Sequence, residues 1–337
     1  MHSGDYTVSR FNATIFGCEG LKLTADEKSF FRDVKPFGFI LFGRNVDNAE
    51  QIRALCDELR SCVDHDAPIL IDQEGGRVQR LRPPLATEWT PPLDFVMAAG
   101  EQAERAMYLR YCITAKELRA VGVDANCAPL VDVACAETHP FLKNRCYGTS
   151  QDAVATLGRA VANGMADGGV YSVLKHIPGH GRAQADSHKD LPRVPVNRAE
   201  LDRDFAPFQA LNDLPMGMTA HLVYEALDDL PATTSPKMMR LIREEIGFDG
   251  LIMTDDISMQ ALSGPLADRS AASIAAGCDV VLHCNGNFAE MQEVAAASGD
   301  MQETAQRRAE TVLAQRPQAV KVDIQTLSDE LEALLAG

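Results

Sequence analysis

Residues 235–256 read SPKMMRLIREEIGFDGLIMTDD, and the fold is legible in them. Ser235 is of the residue types whose side-chain oxygen caps a helix N-terminus, and Pro236 follows at the first helical position, where a missing N–H does no harm. Gly247 closes the helix. The apolar run Leu251–Thr254 comes soon after, with the length and composition of a buried strand. It delivers two adjacent carboxylates, Asp255 and Asp256. One helix handing over to one strand is the repeating unit of a parallel sheet.

Outward from this unit, short runs rich in Val, Ile and Leu recur at 13–18, 38–43, 68–72, 125–131, 171–176, 217–223, 250–254 and 279–284, separated by helical stretches. In one such stretch Asp47 stands three residues before Glu50, the spacing of a capping box. Ile52, Leu55, Cys56 and Leu59 then follow at i, i+3, i+4 and i+7, on one helix face. Strands alternating with helices imply a parallel sheet covered by helices, and this number of repeats favours a closed (β/α)8 TIM-type barrel over an open doubly wound sheet. A chain of 337 residues exceeds the roughly 250 typical of such a barrel by no more than insertions supply, so residues 1–337 are expected to form a single barrel domain. Ile324, Leu327, Leu331 and Leu334, at helical spacing, predict an outer C-terminal helix near 323–336.

A formal net charge of −16 argues against nucleic acid and anionic membranes as main partners, because both carry the same sign. Nine cysteines, an odd number without CxxC spacing, suit a reducing compartment. The start MHSGDYTVSRFNATIFG has no cationic segment leading into a long apolar one, and no later run approaches the ~20 apolar residues of a membrane span. The expected location is the cytoplasm.

Barrels of this kind carry their reactive groups on the loops that follow the strands. The candidates fall there: Asp72 and Arg80 after the third run, Arg145 after the fourth, Lys175 to His188 at the fifth, His221 at the sixth, Asp255 and Asp256 at the seventh. The densest segment is Lys175-His176-Ile177-Pro178-Gly179-His180-Gly181, continuing to Asp186-Ser187-His188. Its histidines and aspartate allow a zinc reading through His176, His180 and His188. Against it, Pro178 and two glycines interrupt any helical HxxxH spacing, and no cysteine lies nearby. His176 and His180 also fit a role as hydrogen-bond donors that hold the loop. Asp186, two residues before His188, can orient that ring and stabilise its imidazolium form, which is a general acid/base device.

Asp255 and Asp256 leave a strand in opposite directions and cannot address the same atom, so one is expected to react and the other to support local hydrogen bonding. Taken alone, such a pair also reads as a helix N-cap. The segment from Asp72 to Arg80 mixes acceptors with forked donors, a set suited to the hydroxyls and acetamide or carboxylate of a sugar. Arg77 within it also reads as structural, and Arg145 as a residue that pins its loop.

Taken jointly, IDQEGGRVQRL (71–81), KNRCYG (143–148), LKHIPGHG (174–181) with DSH (186–188), GMTAHLVY (217–224) and GFDGLIMTDDISM (247–259) resemble, in order, the β-N-acetylhexosaminidases of glycoside hydrolase family 3. The likeness spans roughly residues 35–285, and KHxPGHG followed by DSH is its most specific part. Ile177 stands where Phe is usual, and Cys146 lies inside KNRCYG; neither change removes a catalytic group. The resemblance implies that Asp255 is the nucleophile and that His188 is the acid/base, oriented by Asp186. It also implies sugar contacts from Asp72, Arg80, Arg145, Lys175 and His176, with no metal and no cofactor.

The implied reaction is removal of a terminal β-linked N-acetylglucosamine with retention, through a covalent glycosyl-Asp intermediate. The chain looks like the single-domain bacterial form, whose substrates are amino-sugar oligosaccharides or muropeptides ending in 1,6-anhydro-N-acetylmuramic acid, met in cell-wall recycling. A monomer or weak homo-oligomer is expected. Three alternatives stay open at this level. A histidine acid/base repels an incoming anion less than a carboxylate does, which leaves room for a phosphorylase. The others are a metal-dependent barrel hydrolase and a sugar-binding barrel without turnover.

Overall fold

The computed structural model describes residues 10–184 and 190–336. Its main sheet consists of Asn12–Gly17 (β1), Pro36–Leu41 (β2), Ile69–Ile71 (β3), Ala125–Asn126 (β4), Tyr171–Ile177 (β5), Met216–Thr219 (β6), Leu251–Met253 (β7) and Val281–His283 (β8). The strands are parallel and lie in the order β7-β6-β5-β4-β3-β2-β1-β8. A parallel bridge between Met253 and Val280, with Thr254 N donating to Val280 O at 3.0 Å, joins the two outermost strands. The sheet is therefore a closed (β/α)8 barrel.

Strand alternation divides the apolar side chains between two cores. Ile15, Ile40, Leu70, Val173, Met218, Met253 and Leu282 fill the barrel interior, while Phe16, Phe39, Ile69, Leu174, Ile252 and Val281 pack against the surrounding helices. The helix Glu303–Ala314 closes the end of the barrel opposite the strand C-termini. Ala305, Ala309 and Val312 join the interior cluster, and the Tyr171 hydroxyl donates to Val312 O at 2.8 Å.

Ser235 caps as its residue type suggests: its hydroxyl accepts from Met238 N at 3.0 Å. The helix Pro236–Arg240 continues through a π-helical turn, Leu241–Glu245, and the chain reverses at Gly247 with φ +78°. The helix Ala49–Arg60 is capped one residue later than its sequence suggests. Asn48, not Asp47, accepts from Gln51 N, and Gln51 Oε1 accepts from Asp47 N. Ile52, Leu55, Cys56 and Leu59 are buried on its inner face.

The fourth apolar run, expected at 125–131, is a strand only over Ala125–Asn126. Beyond Asn126 the ladder is irregular, yet the chain stays beside β5: Ala128 O and Pro129 O accept from Val173 N and Lys175 N at 2.9 and 3.0 Å, and Leu130 forms a parallel bridge with Lys175. At the other end of the chain, the helix Ile324–Ala336 lies where an outer helix was expected; Leu327 and Leu331 are buried, while Ile324 is exposed. Among the described residues, no helix is long and apolar enough to cross a membrane.

Candidate active site

The C-terminal ends of the strands open into a cavity of about 270 Å³ whose lining includes Asp72, Arg80, Arg145, Lys175, His176, His180, Asp255 and Asp256. The loops after β3, β4, β5 and β7 thus converge on one place. Asp186 and His188 lie outside the described residues.

After β3 the chain forms a hairpin, Gln73–Gly75 against Val78–Gln79, turning at Gly75 and Gly76 with φ of +107° and +57°. Those backbone values favour glycine. The turn brings Arg80 back beside Asp72, with Nη2 donating to Oδ2 at 2.9 Å. Lys175, almost fully buried, places its ammonium 3.1 Å from Asp72 Oδ1 and 2.6 Å from Glu74 Oε1. Arg145 grips Glu74 with two hydrogen bonds of 2.8 Å each.

Burial alone would raise the carboxyls of Asp72 and Glu74, but Lys175 and Arg80 around the first, and Arg145 and Lys175 around the second, hold both well below the usual range. Burial would likewise lower the Lys175 ammonium, and the two carboxylates reverse that. All these groups are charged at neutral pH. Two carboxylates facing three cations form a fixed polar wall that presents both donors and acceptors to a ligand.

Lys175 and His176 are neighbours in β5, yet both line the cavity. The β5–β6 pairing shifts register between Leu174 and Ile177, and such an irregularity re-aims side chains that strict alternation would send to opposite faces. The His176 ring donates from Nδ1 to Asp132 Oδ2 at 2.7 Å. Asp132 Oδ1 accepts the His180 amide at 2.6 Å and the His176 amide at 3.3 Å. The loop-holding role expected of His180 therefore falls to its backbone, while its ring lies 5.4 Å from that of His176. Its Nδ1 is buried without a hydrogen-bond partner among the described residues. Burial, reinforced by His176, pushes its pKa down to about 4.

Asp255 accepts the Asp256 amide at 2.8 Å. Burial opposes its ionisation, but His176, His221, that amide and Lys175 together keep the carboxyl below its ordinary value. Asp256 is occupied otherwise: its oxygens accept from Ser258 N, Ser258 Oγ and Cys284 N. Both carboxylates line the cavity, but Asp256 is tied to the following loop and to Cys284, while Asp255 accepts only the one amide among the described residues. His221 is buried behind them, with Nε2 3.0 Å from Asp256 O and Nδ1 2.7 Å from Thr233 Oγ1. It supports the backbone of the pair. Arg77 stacks on Phe141, 3.3 Å above the ring centroid, at the cavity rim.

Two members of this constellation, Glu74 and Asp132, carry no assignment from sequence. Both had a signal. Glu74 lies two residues from Asp72, the spacing that shares a strand face, and Asp132 is a carboxylate at the end of an apolar run, the criterion that selected Asp255. Among the described residues, no group of three or more His, Cys, Asp or Glu side chains is arranged to hold a metal ion.

The model of the Glycosyl hydrolase family 3 N terminal domain matches residues 12–314. This chain belongs to glycosyl hydrolase family 3. It is a glycoside hydrolase, and its similarities extend over most of its length. It is 38% identical to a β-hexosaminidase of Alkalilimnicola ehrlichii, over 80% of each chain. It is 39% identical to a β-hexosaminidase of Methylococcus capsulatus, over 80% of this chain and 82% of that one. Its structure is similar to that of NagZ from Neisseria gonorrhoeae in complex with N-trifluoroacetyl-D-glucosamine. The two superpose with a TM-score of 0.86 at 29% identity, over 97% of this chain and 96% of the other.

Proposed function

We propose that this family 3 hydrolase is a retaining β-N-acetylhexosaminidase that removes terminal β-linked N-acetylglucosamine. The observation that carries this reading is the ionised Asp255 carboxylate in a cavity it shares with Asp72, Arg80, Arg145, Lys175 and His176. Asp255 attacks the anomeric carbon as the leaving oxygen takes a proton from His188, which Asp186 orients. His188 then removes a proton from water, which attacks the same carbon as its bond to Asp255 breaks, restoring the β configuration and freeing the carboxylate. The charged wall around Asp72 binds the sugar hydroxyls.

A cavity of about 270 Å³ falls at the lower edge of ligand-site volumes, which suits one sugar ring with the aglycone outside. Removal of single terminal residues follows. The natural aglycone proposed is 1,6-anhydro-N-acetylmuramic acid with its peptide, acted on in the cytoplasm. The family likeness and the names of the relatives support the sugar; the aglycone rests on the sequence resemblance.

The test is release of phenol from an aryl β-N-acetylglucosaminide by chelator-treated protein. Asp255→Ala should lose at least about 10³-fold in kcat, the scale on which a nucleophile acts. Free N-acetylglucosamine as the product in phosphate buffer supports hydrolysis, and a sugar 1-phosphate would replace it with phosphorolysis. Absence of turnover in the wild type would remove the reading altogether.

A further inference from the structure

We infer that Asp132 is a positioning residue for the reaction, one that acts on the cavity through His176 by dictating which ring nitrogen carries the proton. The inference rests on the glycosidase reading above and adds a residue to it.

The hydrogen bonds decide the tautomer. Asp132 is fully buried, and although burial by itself would raise its carboxyl, His176 and the His180 amide hold it below the ordinary range, so it is an acceptor only. Its Oδ2 lies 2.7 Å from His176 Nδ1. A carboxylate cannot donate, so Nδ1 must carry a proton. The other nitrogen, Nε2, is left able to accept from a sugar hydroxyl when the ring is neutral, or to donate when it is cationic. The same carboxylate accepts the amides of His176 and His180, so one side chain sets both the path of the loop and the orientation of the ring.

His176 is well placed for that choice to matter. It lines the cavity with Asp255 and is among the groups that keep Asp255 ionised. The charged and titratable groups that face it are Asp132 from the segment after β4, Lys175 and His180 from its own strand and loop, His221 from the segment after β6, and Asp255 from that after β7. Only Asp132 is hydrogen-bonded to the ring among the described residues.

Asp132→Asn separates this role from mere packing, because the amide has nearly the same shape. Two backbone N–H groups point at the Oδ1 position, so the asparagine oxygen must stay there and its NH₂ must face His176 Nδ1. The ring then flips to the tautomer with the proton on Nε2, which can donate into the cavity but no longer accept. Replacing the group behind a metal-bound histidine typically costs about 10–100-fold in activity, and that cost sets the scale for a ring held the same way without a metal. We expect a loss of that size in kcat for an aryl β-N-acetylglucosaminide, with an altered pH profile and a melting temperature close to that of the wild type.

The deciding measurement is the 15N spectrum of histidine-labelled protein, with the His176 signals assigned by their absence in His176→Gln. The wild type should show a proton on Nδ1, and Asp132→Asn should show it on Nε2. A neutral wild-type ring protonated on Nε2 overturns the inference even if the asparagine variant fails to fold. A shifted tautomer with unchanged kcat, KM and pH profile overturns it equally. Because the spectrum needs no turnover, failure of the glycosidase reading would show separately, as an inactive wild type.

Discussion

At the scale of single residues, the cavity is built from charges that hold one another, and its pH behaviour follows from which are held. The pKa of His180 is pushed down from 6.5 to about 4 by burial and by His176. The unfolded chain therefore binds a proton that the folded chain refuses between those values, so stability from this group is present above about pH 6.5 and is lost as pH falls toward 4. A shift of that size corresponds to up to about 3 kcal/mol. His65 and His221 are lowered in the same sense. The depressed carboxyls of Asp72, Glu74, Asp132 and Asp255 act in a lower window: their contribution is present above about pH 4 and is lost only in stronger acid. His180→Asn should thus lose less melting temperature between pH 7 and pH 4.5 than the wild type. Parallel losses in the two proteins would mean that the ring is not held neutral by its surroundings.

Among elements, the helix Ala49–Arg60 shows how closely local signals can be read. Its buried face was legible residue by residue, because the 3.6-residue period is a property of the chain itself. The cap was not, since Asp47 and Asn48 are both good capping residues and only backbone geometry decides between them. Asn48 has the extended conformation of an N-cap, φ −144° and ψ 168°. Asn48→Ala should cost about 1 kcal/mol in denaturant unfolding, and Asp47→Ala clearly less. Equal losses would put the cap back at Asp47. A similar limit applies to β4, whose regular ladder stops at Asn126 inside a continuous apolar run although the residues after it stay hydrogen-bonded to β5.

For the molecule as a whole, the two C-terminal helices contribute very differently. Glu303–Ala314 is part of the barrel interior, and Arg308 also bridges Asp249 and Asp279 beneath β7 and β8. The helix Ile324–Ala336 buries two leucines against the outer helices and pairs Glu330 with Arg105 at the surface. A chain ending at residue 322 should keep a cooperative thermal transition at a lower temperature. One ending at residue 300 should lose the transition and bind ANS, since the barrel interior would open to water. A cooperative transition in the shorter chain would show that the barrel closes without this helix.

Some of this was determined by the sequence alone: eight strands in order, the helices between them, and the arrival of Asp72, Arg80, Arg145, Lys175, His176 and Asp255 at one rim. Each depends on local information, whether a period, a cap or the end of an apolar run, joined to the rule that a barrel gathers its strand ends. What each of those side chains touches was decided by the tertiary structure. Glu74 meets Arg145 across 71 positions of chain, and Asp132 meets His176 across 44. The closed ring of strands sets those partners, along with the register shift in β5 that turns two consecutive residues toward the same cavity. Hydrogen bonds and ion pairs act over a few ångströms of space, and no local pattern encodes which distant carboxylate will lie within that reach.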